Sequence, residues 1–151
     1  MQVTAFTLAH SFSLALATLG WVRISGRIVE PLIAASIVWV ALAAWQSMRA
    51  RRSRPRAAWH QALVAFLFGL VHGLAFAEAL TPLHLDGAAL AWALLAFNLG
   101  VEIGQLLVLV VTVPALLALR RTSAGSQALP WFALGAAAAG GFWLVQRLLG
   151  E

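Results

Sequence analysis

Long apolar segments follow one another along the chain and are separated by short polar stretches. The apolar segments cover about residues 3–22, 28–48, 58–80, 88–119 and 129–149. Each matches or exceeds the roughly 20 residues that a helix needs to cross a bilayer. No stretch shows the alternation of apolar and polar residues that is typical of a strand. The pattern predicts an all-α fold, a polytopic integral membrane helical bundle of about five transmembrane helices, in a single transmembrane domain over residues 1–151.

Prolines and polar residues set the expected helix boundaries. Glu30 and Pro31 are expected to open the second helix, because proline is tolerated in a first helical turn. Pro114 is expected to bend or end the fourth helix. The segment RRTSAGSQ, residues 120–127, is expected to be a polar linker before the fifth helix.

Composition agrees with a lipid environment for most of the chain. Hydrophobic residues make up 62% of the sequence and charged residues 10%, whereas a soluble domain of this size needs far more polar surface. The chain has no cysteine, which excludes disulfides and thiolate metal sites. Any bound metal must therefore use histidine, carboxylate or backbone oxygen.

The net charge is +5, and all ten basic residues are arginine. Seven lie in the loops after the second and fourth helices, at 49–56 and at 120–121, and three lie on the other side of the membrane. Arginine is concentrated in cytoplasmic loops, so both basic loops and the N-terminus are expected in the cytoplasm. Because the arginines lie between apolar segments, the expected partner is the lipid bilayer and no nucleic acid is expected.

Glycines spaced four residues apart predict close helix packing, because they let helix backbones approach one another. Gly69 and Gly73 form such a pair in the third helix, and Gly100 and Gly104 form one in the fourth. The fifth helix carries Gly135 and the pair at 140–141. Close packing would also bring polar side chains on neighbouring helices together.

Ionisable side chains inside membrane helices are costly and face protein or water rather than lipid. Asn98, Glu102 and Gln105 follow one another at i, i+4 and i+7, so they share one face of the fourth helix. His10 in the first helix and His72 in the third are expected in the middle third of the membrane, as is Glu102. The sequence therefore brings two histidines and a carboxylate to compatible depths.

Two histidines and a glutamate suit a divalent transition metal. Neutral imidazole nitrogen and carboxylate oxygen bind borderline cations such as nickel, cobalt, zinc and ferrous iron. We therefore predict His10, His72 and Glu102 as metal ligands. Hydrogen bonds that orient these ligands are predicted from Ser11, Asn98 and Gln105.

Other interpretations stay open for single residues. His10 could instead hydrogen-bond a neighbouring helix. Glu30 is either a further metal ligand or only a capping residue of the second helix at the membrane edge. His60 is expected to be solvated beside the arginine-rich loop. His84 and Asp86 are either plain loop residues or a weak external collecting site for cations.

Four sequence blocks resemble successive signatures of the HupE/UreJ family of bacterial membrane proteins. The blocks are FTLAHSFSLALATLG, IVEPLIAASIVWVA, FLFGLVHGLAFAEAL and AFNLGVEIGQL, in this order between about Thr4 and Leu106. The family is associated with nickel or cobalt uptake for hydrogenase and urease. The positions that match it are His10, Ser11, Glu30, His72, Gly73, Asn98, Glu102 and Gln105.

The resemblance implies a permease-like protein of the bacterial inner membrane, with nickel as the foremost metal and cobalt, zinc or iron as alternatives. Family members usually carry an upstream helix with the motif HxxxGxDH, which this sequence does not contain. The resemblance therefore implies a short form, a fragment, or a subunit that borrows the missing helix from a partner.

Metal binding and transport through an intramembrane His/Glu site is the function predicted here, with no enzymatic activity. No catalytic residue is predicted, because the neighbours His10 and Ser11 point about 100° apart on a helix. One alternative is an accessory membrane subunit of a larger complex, with a membrane protein partner or a second copy docked on the fifth helix. Another is a haem-binding or metal-binding membrane enzyme that uses the two histidines as ligands.

Overall fold

The computed structural model describes residues 2–50, 57–80 and 83–150. Five α-helices follow one another within these residues: α1 (Gln2–Thr18), α2 (Gly26–Arg49), α3 (Ala58–Leu80), α4 (Gly87–Arg120) and α5 (Ser123–Leu149). The described part of the chain contains no strand. The expected all-α fold is therefore confirmed, while most of the arginine-rich loop, at 51–56, lies outside the described residues.

Four of the helices, α2 to α5, are long and apolar enough to cross a membrane. The remaining helix, α1, has 17 residues and a length of about 26 Å, slightly less than the roughly 30 Å of a hydrocarbon core. The chain is thus a multi-pass membrane protein, and α1 is the one expected span that does not reach full spanning length.

The first helix ends at Thr18, four residues before the expected boundary. Gly20 adopts a left-handed conformation with φ +77°. Its N–H donates to the Ala17 carbonyl at 3.0 Å, and the Trp21 N–H donates to the Leu16 carbonyl at 3.0 Å. These two bonds form a Schellman motif, which ends a helix by satisfying its last carbonyls.

The helices α2 and α5 both begin before the expected positions, because polar residues that indicated a helix end or a linker lie inside these helices. The second helix begins at Gly26, so Glu30 lies in its second turn and does not cap it. The fifth helix begins at Ser123 inside the expected linker. Its N-cap is Thr122, whose hydroxyl accepts a hydrogen bond from the Gly125 N–H at 3.0 Å. Pro114 lies inside α4 and does not end it.

The chain divides into two compact units. One unit holds the described residues of 1–33 and 55–102, and the other holds those of 34–54 and 103–151. In the second unit, α5 packs on α2 at Gly140, where an added Cβ would lie 3.0 Å from the Ile37 side chain and 3.2 Å from that of Val38. The first unit contains the two candidate histidines.

The first unit is built on close packing of α1 against α3. An added Cβ at Gly69 would lie 2.9 Å from the Ala9 side chain, and one at Gly73 would lie 2.9 Å from the Leu14 backbone nitrogen. Gly69 also faces the Phe6 carbonyl, and Gly73 faces the His10 carbonyl, at closer range. Higher residue numbers in α1 therefore pair with higher numbers in α3, and the two helices run parallel. The glycine pair predicted to pack α3 closely is confirmed.

The glycine pair of α4 does not pack as expected. Among the described residues, no atom lies within 4 Å of the Cβ positions of Gly100 and Gly104, and the same holds for Gly135 and Gly141 in α5. The expectation of close packing was wrong at these four positions, because a glycine pair makes a groove and does not determine whether a neighbour fills it.

Candidate metal centre

His10 is the central residue of the candidate site. Its side chain is 1% exposed, which makes it one of the buried polar residues in the described part of the chain. Neither ring nitrogen, Nδ1 nor Nε2, has a hydrogen-bond partner among the described residues. The expectation that His10 could hydrogen-bond a neighbouring helix is therefore not met. A buried polar atom without a partner costs about 1–3 kcal/mol, which points to a ligand for this imidazole.

His72 lies on α3, one residue before the close contact at Gly73. Its Nδ1 lies 2.8 Å from the Phe68 carbonyl oxygen. A carbonyl oxygen accepts only, so Nδ1 carries the proton and donates. In the neutral form of such a ring the lone pair lies on Nε2, which is the nitrogen that a metal binds when the other ring nitrogen is held by a carbonyl.

Three phenylalanine rings surround the histidines. Phe6 stacks near His10, with ring centroids 5.9 Å apart, and meets His72 edge-on at 5.5 Å. Phe76 meets His10 edge-on at 5.6 Å, and Phe97 lies nearly parallel to it at 6.1 Å. Both imidazoles thus contact the same Phe6 ring, in a largely apolar setting contributed by α1, α3 and α4.

A polar contact joins α1 to α4 beside this aromatic cluster. The Ser11 hydroxyl donates to Oδ1 of Asn98 at 2.6 Å, and Nδ2 of Asn98 donates to the Leu94 carbonyl at 2.8 Å. The pair predicted to orient the ligands is therefore brought together. The hydrogen bond between them links α1 to α4. It does not orient the His10 ring directly, because neither side chain bonds a nitrogen of His10. Asn98 follows Phe97 directly, so this hydrogen bond holds the part of α4 whose Phe97 ring lies against His10.

Glu102 does not join the two histidines in this structure. Its side chain is exposed, and among the described residues no three histidine, aspartate or glutamate side chains come close enough to hold a metal ion together. Gln105, three residues further along α4, is half-buried and belongs to the second unit. A ligand set of His10, His72 and Glu102 stays a prediction, for which the Glu102 carboxylate would have to approach the two histidines.

The other candidate residues lie outside the aromatic cluster. Glu30 is half-buried in α2 and has an interaction partner. His60 is exposed and stacks on Trp59. His84 and Asp86 are exposed in the segment before α4, where His84 adopts a positive φ of 47°. In the described part of the chain, none of these four residues forms a hydrogen bond or a ring contact with the His10 imidazole.

Glu78 lies near the C-terminal end of α3, which is the end of this helix nearer to His72. Both of its carboxylate oxygens lie within 3.0 Å of the position of an added Cβ on Gly26. The C-terminal end of α3 and the N-terminal end of α2 therefore meet, and a negative side chain lies at the positive end of a helix dipole. His72 lies eight residues before Leu80, the last residue of α3, and so about 12 Å from this end.

Phe6, Phe76 and Phe97 were missed as members of the site. Their signal was spacing: Phe6 lies four residues before His10, and Phe76 lies four residues after His72, so each shares a helix face with its histidine. In a chain that is 10% aromatic, phenylalanine in a membrane helix gives no reason to single it out. The aromatic contacts follow from the parallel packing of α1 on α3, which the sequence does not reveal.

Comparisons with known proteins give the family of this chain. A family model described as HupE / UreJ protein matches residues 1–147. No curated protein and no solved structure matches the chain. The match extends on both sides of the four blocks that first suggested the resemblance and covers almost the whole sequence. The chain therefore belongs to the HupE/UreJ family.

Proposed function

We propose that this protein binds a divalent transition-metal cation, nickel or cobalt, and carries it across the bacterial inner membrane. The observation that carries the proposal is the buried His10, whose two ring nitrogens have no hydrogen-bond partner among the described residues. His72, whose Nδ1 is held by the Phe68 carbonyl, contacts the same Phe6 ring. Membership of the HupE/UreJ family supports the same cargo. The protein is proposed to be a transporter and not an enzyme.

In this proposal the two imidazoles replace part of the hydration shell of the cation. Neutral imidazole binds nickel and cobalt more strongly than it binds magnesium or calcium, which prefer oxygen ligands. Two neutral rings do not compensate a charge of +2 in an apolar environment, so a carboxylate is needed. Glu102 is the candidate, since it lies one helical turn beyond Asn98, which already contacts α1 through Ser11.

The arginine distribution supports an orientation of the protein in the membrane and, for uptake, the side from which a cation would enter. The arginine-rich loops, at 49–56 and 120–121, are proposed to be cytoplasmic, with the N-terminus on the same side. The contact of Glu78 with Gly26 then belongs to the external end of the first unit. A cation arriving from outside would meet this end before it reaches the histidines.

Haem binding is less compatible with this packing. A haem iron with two axial histidines needs the macrocycle between the two imidazoles. Here both imidazoles contact the ring of Phe6, and His10 also contacts Phe76 and Phe97. Insertion of a porphyrin would require all three rings to leave their positions.

Nickel and cobalt accumulation in cells tests the proposal. Measured by mass spectrometry of washed cells, accumulation should fall to the level of cells without the protein for His10→Ala, His72→Ala and Glu102→Gln, at equal membrane expression. The matched control for the imidazoles is His60→Ala, because His60 is exposed and stacks on Trp59.

The control separates a specific site from the general loss of a histidine. Wild-type accumulation in His60→Ala, together with loss in the first three variants, supports the proposed ligands. Unchanged accumulation in His10→Ala and His72→Ala would refute transport through this site. Unchanged accumulation in Glu102→Gln alone would remove Glu102 from the ligand set and leave the histidines in it.

A further inference from the structure

Access to His10 is closed in this structure. Nδ1 and Nε2 of His10 are both buried, although the ring has no hydrogen bond that would account for their burial. What covers the imidazole is aromatic: the rings of Phe6, Phe76 and Phe97. A cation therefore reaches a nitrogen of His10 only after at least one of these rings moves.

The three rings differ in how firmly they are held. Phe6 lies on α1 and is half-buried between His10 and His72. Phe97 is half-buried on α4, next to Asn98 with its hydrogen bond to Ser11. Phe76 is 42% exposed, although it contacts both His10 and Phe97. It is thus the ring that extends from the buried imidazole to the surface of the protein.

The position of Phe76 along α3 agrees with a role in access. It lies four residues after His72 and four before Leu80, so it shares a helix face with His72 and lies about 6 Å from the end of α3. Glu78 and Gly26 meet at the same end. Phe76 is therefore located between the histidines and the end of the unit from which a cation is proposed to enter.

We propose that the Phe76 side chain controls access to His10, and that a change in its rotamer opens the imidazole to a cation. This inference rests on the proposed function for the identity of the ligand, but the access step itself involves no metal. An aromatic ring suits the role, because it excludes water from the closed site and can turn about two side-chain torsions without a change in the backbone.

Chemical modification of histidine tests the access step without any cation. The purified full-length protein in detergent is treated with diethyl pyrocarbonate, and the rate at each histidine is followed by peptide mass spectrometry. The exposed His84 serves as the internal reference. In Phe76→Ala the rate at His10 relative to His84 should rise by at least about tenfold, the factor expected if the ring keeps the open state below a tenth of the population.

The matched control is Phe66→Ala on the same helix. Phe66 is 39% exposed, almost as much as Phe76, and no ring contact joins it to a histidine among the described residues. Its replacement should leave the rate at His10 unchanged. Amide hydrogen exchange of α1 shows in the same samples whether the helix that carries His10 stays folded.

The outcomes are separable. A faster reaction at His10 with wild-type protection of the α1 amides supports control by Phe76. An unchanged rate in Phe76→Ala, an equal rise in Phe66→Ala, or a rise accompanied by loss of α1 protection overturns it. A further arm with nickel added tests the proposed function by itself, because a bound cation should slow the reaction at His10 and His72 whether or not Phe76 controls access.

Discussion

Replacing Gly73 by alanine should separate α1 from α3. The new Cβ would lie 2.9 Å from the backbone nitrogen of Leu14 and closer still to the His10 carbonyl oxygen, whereas ordinary contact begins at 3.4 Å. These atoms belong to the backbone, so a side-chain rotation does not relieve the clash, and α1 must withdraw by more than about 0.5 Å. Overpacking of this kind costs about 1–3 kcal/mol, and we expect the upper end of the range.

Gly100→Ala is the matched control, since its Cβ meets nothing within 4 Å. There the substitution should stabilise the helix by about 0.5–1 kcal/mol, because alanine loses less backbone entropy than glycine. The two variants should therefore differ by about 3–4 kcal/mol in the free energy of unfolding. The assay is titration with dodecyl sulfate, followed by the fluorescence of the seven tryptophans. Equal stability of the two variants would refute the packing that holds His10 beside α3.

Two further changes have local effects. Ser11→Ala leaves Oδ1 of Asn98 without its donor and should lower the free energy of unfolding by about 1 kcal/mol in the same titration; an additive double variant with Asn98→Ala would show that the two side chains are not coupled. Thr122→Ala removes the N-cap of α5 and should cost about 1 kcal/mol, seen as faster hydrogen exchange at the Gly125 amide; an unchanged exchange rate would show that the cap does not hold the first turn.

Much of the fold could be predicted because lipid imposes a simple pattern. An apolar segment long enough to cross a bilayer must be helical, since its backbone groups find no other partners, and the five helices follow from this. Helix ends were predicted less well. The polar residues after Arg121 indicated a linker, but polarity shows only that a segment contacts water. Thr122 is the N-cap of a helix that includes the polar residues after it. Gly20 was the available sign that α1 ends at Thr18.

The candidate site was predictable in its residue types and less so in its assembly. His10 and His72 were identified because ionisable groups are costly in lipid, and the structure brings their rings to the same phenylalanine. Glu102 was identified for the same reason, yet its side chain is exposed. Helical spacing tells which residues share a face, and it does not tell which neighbour that face meets. The equal spacing of Gly69–Gly73 and Gly100–Gly104, one groove filled and one open, makes the same point.

The backbone contact between α1 and α3 would limit how the proposed transporter releases a cation. Where glycine brings two helices this close, they have no room to slide or tilt against each other and must travel as one rigid body. His10 and His72 are carried by these two helices, so the spacing of their backbones would stay constant during the proposed transport. Affinity must then be switched by whatever approaches the pair from outside that body. In the proposed cycle this is α4, which holds to α1 through the hydrogen bond of Ser11 with Asn98, a bond that can break and reform at each turnover.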